Sequence, residues 1–211
     1  IKDSEITCGN TPSDYYFSNK AKHLWITSKS IYSRNLNQIR KVASKKTPNL
    51  KDNDIILMSI GSGLGSIHRG TLYKTCLGTA FVNQNCYKIN TNNLIKNINI
   101  MCFLTSPCFV PVIKNKLTKG SVPAIYSDEI KEIPIPNFPQ NIQNDISLNY
   151  YNNVARTKNT LTTYLPNELQ RNKELGIWQL NMECFELKSK INKIVEKIVL
   201  NKKIYQPFYL I

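Results

Sequence analysis

Ile133-Pro-Ile-Pro-Asn-Phe-Pro139 decides how the 211-residue chain is divided. Proline has no amide hydrogen to donate and its ring locks φ, so neither a helix nor a central strand runs through this stretch. It is a boundary, and the hydrophobic period changes across it.

On its N-terminal side the chain reads as short strands and turns. Ile55-Ile-Leu-Met-Ser-Ile60 is an apolar run stopped by glycine, and Thr79-Ala-Phe-Val82 and Cys86-Tyr-Lys-Ile89 are rich in strand formers. Turn chemistry recurs at Gly9-Asn10, Thr47-Pro48-Asn49 and Gly120-Ser121, and Leu94 to Leu104 is compatible with a helix. On the C-terminal side, Ile146, Tyr150, Val154, Leu161 and Leu165 share a helical face, which predicts a helix from about Gln140 to Leu165, with Pro166 ending it or opening the next segment. Further on, Leu180, Cys184, Leu187, Ile191, Ile194 and Ile198 alternate by four and three, the spacing of a coiled-coil seam. Glu186 and Lys190 form an i,i+4 pair off that seam, and Asn201 is a polar insertion of the kind that sets register. The expected fold is α+β. Residues 1–139 form a mixed α/β domain with short strands, and residues 140–211 a long-helix antiparallel coiled-coil region. In that region Leu180, Leu187, Ile191, Ile194 and Ile198 meet a partner surface; the alternative is a helix packed on its own domain.

Charge points to an anionic partner. The chain holds 28 Lys+Arg against 14 Asp+Glu, a net +14. Up to Ser127 there are 17 basic residues and 5 acidic ones, and from Asp128 on 11 and 9. Between Ile55 and Ser127 there is no carboxylate, while Arg69, Lys74, Lys88, Lys96, Lys114, Lys116 and Lys119 are all present. Such segregation is the footprint of phosphate binding. A genome-wide bias towards Lys, Asn and Ile explains the total but not the sparing of the C-terminal third.

Other classes are disfavoured. No apolar run approaches the ~20 residues a membrane span needs, so a soluble, cytoplasmic protein is expected. Opening at Ile1 without a signal-peptide pattern, the chain reads as a processed piece or as one whose true start lies upstream. The six cysteines include no CxxC pair, and His23 and His68 sit apart from any cysteine cluster; free thiols and no metal site are expected. The glycine cluster Gly61-Ser-Gly-Leu-Gly65 follows a strand, but no acidic residue follows to hold ribose hydroxyls, and its third glycine falls one position early for a dinucleotide fingerprint. Its bare backbone suits close approach to a phosphate or a base edge. There is no GxSxG, HExxH, P-loop lysine or Asn-Pro-Pro-Tyr-type motif, and Asp128-Glu129-Ile-Lys131 reads as the polar side of an edge strand. No catalytic residue and no cofactor is expected. Recognition residues abound instead: 26 asparagines, many beside Lys or Arg, suit adenine and phosphate contacts.

Gly9-Asn-Thr-Pro-Ser13, Trp25-Ile-Thr-Ser-Lys-Ser-Ile31, Asp54-Ile-Ile-Leu with its glycine loop, Asn83-Gln-Asn85, Lys119-Gly-Ser121 and Ile133-Pro-Ile-Pro136 with Gln143 occur in an order that resembles the DNA specificity subunits of type I restriction–modification systems. The similarity extends over nearly all of the chain, which looks like one target recognition domain followed by its helical region. The resemblance implies an α/β unit that reads half of a split duplex DNA site in the major groove, with helices as spacer and docking rod. It implies a non-catalytic subunit that directs partner methyltransferase and restriction subunits to a bipartite target. Gly9, Thr11 and Pro12 would shape an N-terminal turn, Thr27 to Ser30 and Gly61 to Arg69 would line the DNA face, and Lys119 to Ser121 would close on phosphate. With the basic and polar residues around them, the candidate DNA contacts are Lys20, Lys22, Thr27, Ser28, Lys29, Arg34, Ser62, Ser66, His68, Arg69, Lys74, Asn83, Asn85, Lys114, Lys116, Lys119 and Ser121.

A complete subunit of that family carries two recognition domains and two helical regions; this chain has one of each. It is then a half-subunit that pairs as a homodimer, a truncated or phase-variable product, or the C-terminal recognition domain of a fused type II restriction–methylation enzyme. The sustained heptad favours the dimer, which implies an interrupted palindrome as target. An RNA-binding module is the remaining reading; it calls for exposed aromatics on which unpaired bases stack, and the Tyr and Phe residues show no repeated stacking motif.

Overall fold

The computed structural model describes residues 1, 4–33, 39–66, 69–117 and 122–200, apart from the side chains of 32, 33, 62 and 63. Two compact units divide at Ser147/Leu148, eight residues beyond the boundary read from the prolines.

The first unit holds two four-stranded sheets. One runs β1 (Glu5–Cys8), β8 (Cys86–Asn90), β5 (Ile55–Met58), β6 (Gly70–Leu72), with antiparallel neighbours throughout. The other runs β2 (Tyr16–Phe17), β4 (Lys41–Ala43), β3 (His23–Ile26), β7 (Ala80–Val82), where β3 and β7 are parallel and the other pairs antiparallel. The continuous run Ile55-Ile-Leu-Met58 forms a strand buried on both faces, as an unalternating apolar segment should. A short helix α1 (Ser28–Ser33) follows β3, with Thr27 and Ser30 exchanging backbone and hydroxyl hydrogen bonds at its start.

Helix α2 (Leu94–Leu104) is capped by the Asn93 side chain, which accepts from the Lys96 amide at 3.0 Å. It buries Ile98, Ile100, Met101 and Leu104 in the core. Two shorter helices follow, α3 (Val110–Lys116) and α4 (Ser127–Lys131). The last corrects the edge strand expected at Asp128–Lys131: the Glu129 carboxylate accepts from the Tyr126 amide at 2.7 Å and Asp128 pairs with Lys131 at 3.3 Å, both local contacts that a helical turn makes and a strand cannot. Helix α5 (Gln140–Tyr150) begins directly after the prolines. Asn99 of α2 donates to the Gln143 carbonyl at 3.0 Å and to Ser147 Oγ at 3.1 Å, which is why the compact unit extends to Ser147.

The second unit corrects the expected pair of long helices. The helix predicted to reach Leu165 ends at Tyr150; the chain is then irregular as far as α6 (Tyr164–Glu174), in whose first turn Pro166 sits, where a missing amide costs nothing. One long helix remains, α7 (Ile177–Val199). Gly176 joins α6 to α7 because a Cβ there would strike the Asn152 amide and the Tyr150 carbonyl. An ion cluster holds the pair: Arg171 pairs with Glu183 and with Glu168 at 3.5 Å, and Arg156 reaches Glu183 at 3.4 Å. On α7 the seam residues Leu180, Leu187, Ile191 and Ile198 are exposed and Ile194 half-buried. Among the described residues no second helix meets them as a coiled coil within the chain.

The hydrogen bond from Arg171 and its charge hold the Glu183 carboxyl below the usual range. A carboxyl depressed in the folded state contributes stability above its unfolded pKa, and that contribution fades as pH falls through the folded value. The α6–α7 pair is therefore expected to lose helicity on acidification below about pH 4.5. Circular dichroism at 222 nm on wild type and Glu183→Gln checks this: the variant curve should start lower and stay flat through that window, and parallel curves would contradict the assignment.

Candidate nucleic-acid interface

One end of the first unit gathers segments far apart in sequence. In register, β1, β3, β5 and β7 all finish there and β8 begins there. Backbone hydrogen bonds stitch the loops that follow. Gly9 N donates to the Cys86 carbonyl at 2.8 Å, Asn10 N to Val82 at 3.0 Å, Asn83 N to Ile26 at 3.1 Å, Ser59 N to Asn85 at 3.0 Å and Gly61 N to Pro123 at 2.9 Å. The Thr11 hydroxyl meets the Gln84 carboxamide. A glycine at position 9 is obligatory, since any Cβ would overlap the Asn83 carbonyl. Asn83 Oδ1 accepts from the Asn85 amide at 3.3 Å, the side-chain turn that carries the chain from one sheet into the other.

This end offers half-buried Thr27, Ser28, Asn83 and Asn85 and exposed Lys29 and Gln84. The glycine segment is anchored beside it by fully buried Leu64, and the aliphatic stem of exposed Lys114 lies against Gly65. Hydroxyls, carboxamides and lysines are the side-chain types that contact base edges and phosphates in groove readout. Ser66 is half-buried in the same segment.

Other expected contacts are not on this surface. Arg69 is fully buried: its Nε donates to the Leu64 carbonyl at 2.9 Å, its Nη1 to Leu104, and its guanidinium lies over the Phe109 ring at 5.3 Å. Burial pulls its pKa down to about 10. Lys74 is buried too, with Nζ 2.9 Å from Asp52 and 2.6 Å from Asn53 Oδ1. Both were read as phosphate contacts because the tract near them is basic, and both instead neutralise polar groups that folding removed from water. Lys116 is half-buried and spans 3.5 Å to Glu132. Arg34, His68, Lys119, Ser121 and the Ser62 side chain lie outside the described residues.

Lys20 and Lys22 are exposed but precede β3, whereas Thr27 follows it. Four strand residues at ~3.3 Å each separate them by about 13 Å. They belong to a second basic region, around the edge strand β2, whose aromatic residues the sequence motifs did not single out. There Tyr15, Tyr16 and Phe17 are exposed, Tyr15 stacks on Trp25 at 5.4 Å, and Arg40 lies over Phe17 at 5.2 Å. Exposed Lys41, Lys45 and Lys46 complete it. The signal was available, as three consecutive aromatics followed by Lys20 and Lys22, but only burial separates such a surface from a core strand.

Among the described residues no group of His, Cys, Asp and Glu is arranged to hold a metal, and no single helix is long and apolar enough to cross a membrane. No protein-family model matches the chain, and neither does any curated protein. Solved structures similar to it include the S subunit of the type I restriction–modification system from M. genitalium, at 16% identity and TM-score 0.49, over 68% of this chain and 34% of that one. A chain from a structure of type I restriction–modification complex assembly aligns at 15% identity and TM-score 0.48, over 92% and 43%. The HsdS subunit from Thermoanaerobacter tengcongensis aligns at 15% and 0.48, over 68% and 33%. The chain thus spans less than half the length of each.

Proposed function

We propose that this chain is a sequence-specific, non-catalytic DNA-recognition subunit of a type I-like restriction–modification system. Its first unit reads duplex DNA, and α7 docks a partner, either a second copy or a methyltransferase subunit. The observation that carries the reading is the meeting of four separately recognised motifs at one end of the first unit: Gly9–Thr11, Thr27–Ser30, Ser59–Gly65 and Asn83–Asn85. Motifs hydrogen-bonded into one surface supply base-edge donors and acceptors together, which no single segment of this sequence does.

Selection of the full chain against random duplexes is expected to enrich an interrupted motif. Each phosphate contact adds about −0.9 to the slope of log K against log salt. Lys29→Ala and Lys114→Ala should therefore each make the slope shallower by about one, with the enriched motif unchanged. No enrichment, or a slope that neither variant moves, would refute the interface. For the helix, Ile191→Asp with Ile194→Asp alters one exposed and one half-buried position, so the fold should persist. Sedimentation is expected to show the dimer lost, or copurification to show a methyltransferase partner lost; wild-type behaviour in both assays would remove α7 from the interface.

A further inference from the structure

The groove at the β2–β4 edge is a site of its own. It has a volume of about 280 Å³ and is lined by Tyr16, Ser18, Lys20, Lys22 and Ser44 among others, with no carboxylate in its lining. Tyr16 is 63% exposed, the most open of the three aromatics in that segment. Pairing sets this arrangement: Tyr16 lies opposite Ala43 and Phe17 opposite Val42, which leaves β2 as the outer strand, with no strand beyond it among the described residues. Asp14 accepts from the Oγ of the lining residue Ser44 at 2.7 Å and from the Lys45 amide at 2.8 Å. The region carries Lys20, Lys22, Arg40, Lys41, Lys45 and Lys46 against that one carboxylate.

We infer that this groove binds an unpaired nucleotide of DNA, its base stacked on Tyr16 and its phosphate held by Lys20 and Lys22. Ala43, opposite Tyr16 in register, carries only a methyl group, and the 63% exposure of Tyr16 leaves room beside its ring for a flat partner. Two lysines beside an aromatic ring are the combination with which single strands are held without regard to sequence. A fully paired duplex presents its phosphates outward and its base faces to each other, so it satisfies the lysines but not the ring. The inference rests on the DNA-recognition reading only for its biological setting. The groove lies at the opposite end of β3 from the convergent loops, so a separate strand or a locally opened segment would occupy it.

The test measures binding of fluorescein-labelled dT12 and of a fully paired duplex to the full chain by anisotropy, for wild type, Tyr16→Ala, Tyr16→Phe and the Lys20→Ala/Lys22→Ala pair. Tyr16→Ala should weaken dT12 by about fivefold or more, the low end for loss of one stacked base, with duplex affinity within about twofold of wild type. Tyr16→Phe should retain dT12 binding, because the ring rather than the hydroxyl stacks. The lysine pair should weaken dT12 and flatten its salt dependence. The idea is overturned if Tyr16→Ala leaves dT12 affinity intact, or if Tyr16→Phe is as damaging as Tyr16→Ala. Loss of a copurifying protein from Tyr16→Ala with unchanged dT12 affinity would overturn it as well, making the groove a protein contact. Tyr16-dependent dT12 binding in a protein without duplex specificity would sustain the groove and sink the duplex reading, so the two fail separately.

Discussion

Arg69→Ala is expected to cost the protein about 3–4 kcal/mol of folding stability and to leave the salt slope of DNA binding by the remaining folded fraction unchanged. The side chain is fully buried, with Nε and Nη1 committed to the carbonyls of Leu64 and Leu104 and its plane against Phe109. Removing it strands two carbonyl acceptors and opens a cavity beneath the glycine segment, and each effect costs on the order of 1–3 kcal/mol. Arg69→Met restores much of the volume but none of the donors, so it should fall between wild type and alanine. Urea melts of the three proteins measure this. A stable Arg69→Ala protein whose salt slope is shallower by one unit would instead put the guanidinium on phosphate, as the charge pattern alone suggests.

Gly9→Ala should be nearly as severe. The new methyl would overlap the Asn83 carbonyl oxygen and press on the Val82 carbonyl at 2.8 Å. Both obstacles are backbone, so no side chain can swing aside. Relief requires parting the segments joined by Gly9 N to Cys86 and Asn10 N to Val82, a strain worth about 2–4 kcal/mol. At roughly 3 °C per kcal/mol for a unit of this size, Tm should fall by about 6–12 °C. Because the same bonds bring the Gly9 and Asn83 loops together, discrimination between the selected motif and a scrambled duplex should also shrink. Scanning calorimetry with competition binding checks both, and an unchanged Tm would mean the two loops do not touch.

Much of the secondary structure was legible. The strands at Ile55, Ala80 and Cys86 fall where apolar runs and turn residues put them, and Leu94–Leu104 is the helix its composition allowed, because those signals act within a few residues. The helix expected to Leu165 illustrates the limit. Ile146 and Tyr150 have helical neighbours, but Val154 offers its carbonyl to Arg171 at 2.9 Å and so serves a partner seventeen residues away. A side-chain period shows which residues share a face if a helix forms; it does not show whether a tertiary hydrogen bond offers the backbone something better. The convergent end was legible as separate motifs, and its assembly was not.

From sequence alone came the basic bias of the N-terminal part, the break at the prolines with a helix after it, the apolar run at Ile55 and the apolar stripe of α7, since each follows from composition or from a period along the chain. Tertiary structure decided which charges meet solvent, turning Arg69 and Lys74 into internal ties and leaving Lys20, Lys22, Lys29 and Lys114 outside. It also decided which loops share a surface and that three aromatics at the β2 edge stay open. The reason is that a residue's charge is a property of its side chain, whereas its exposure depends on every segment folded against it.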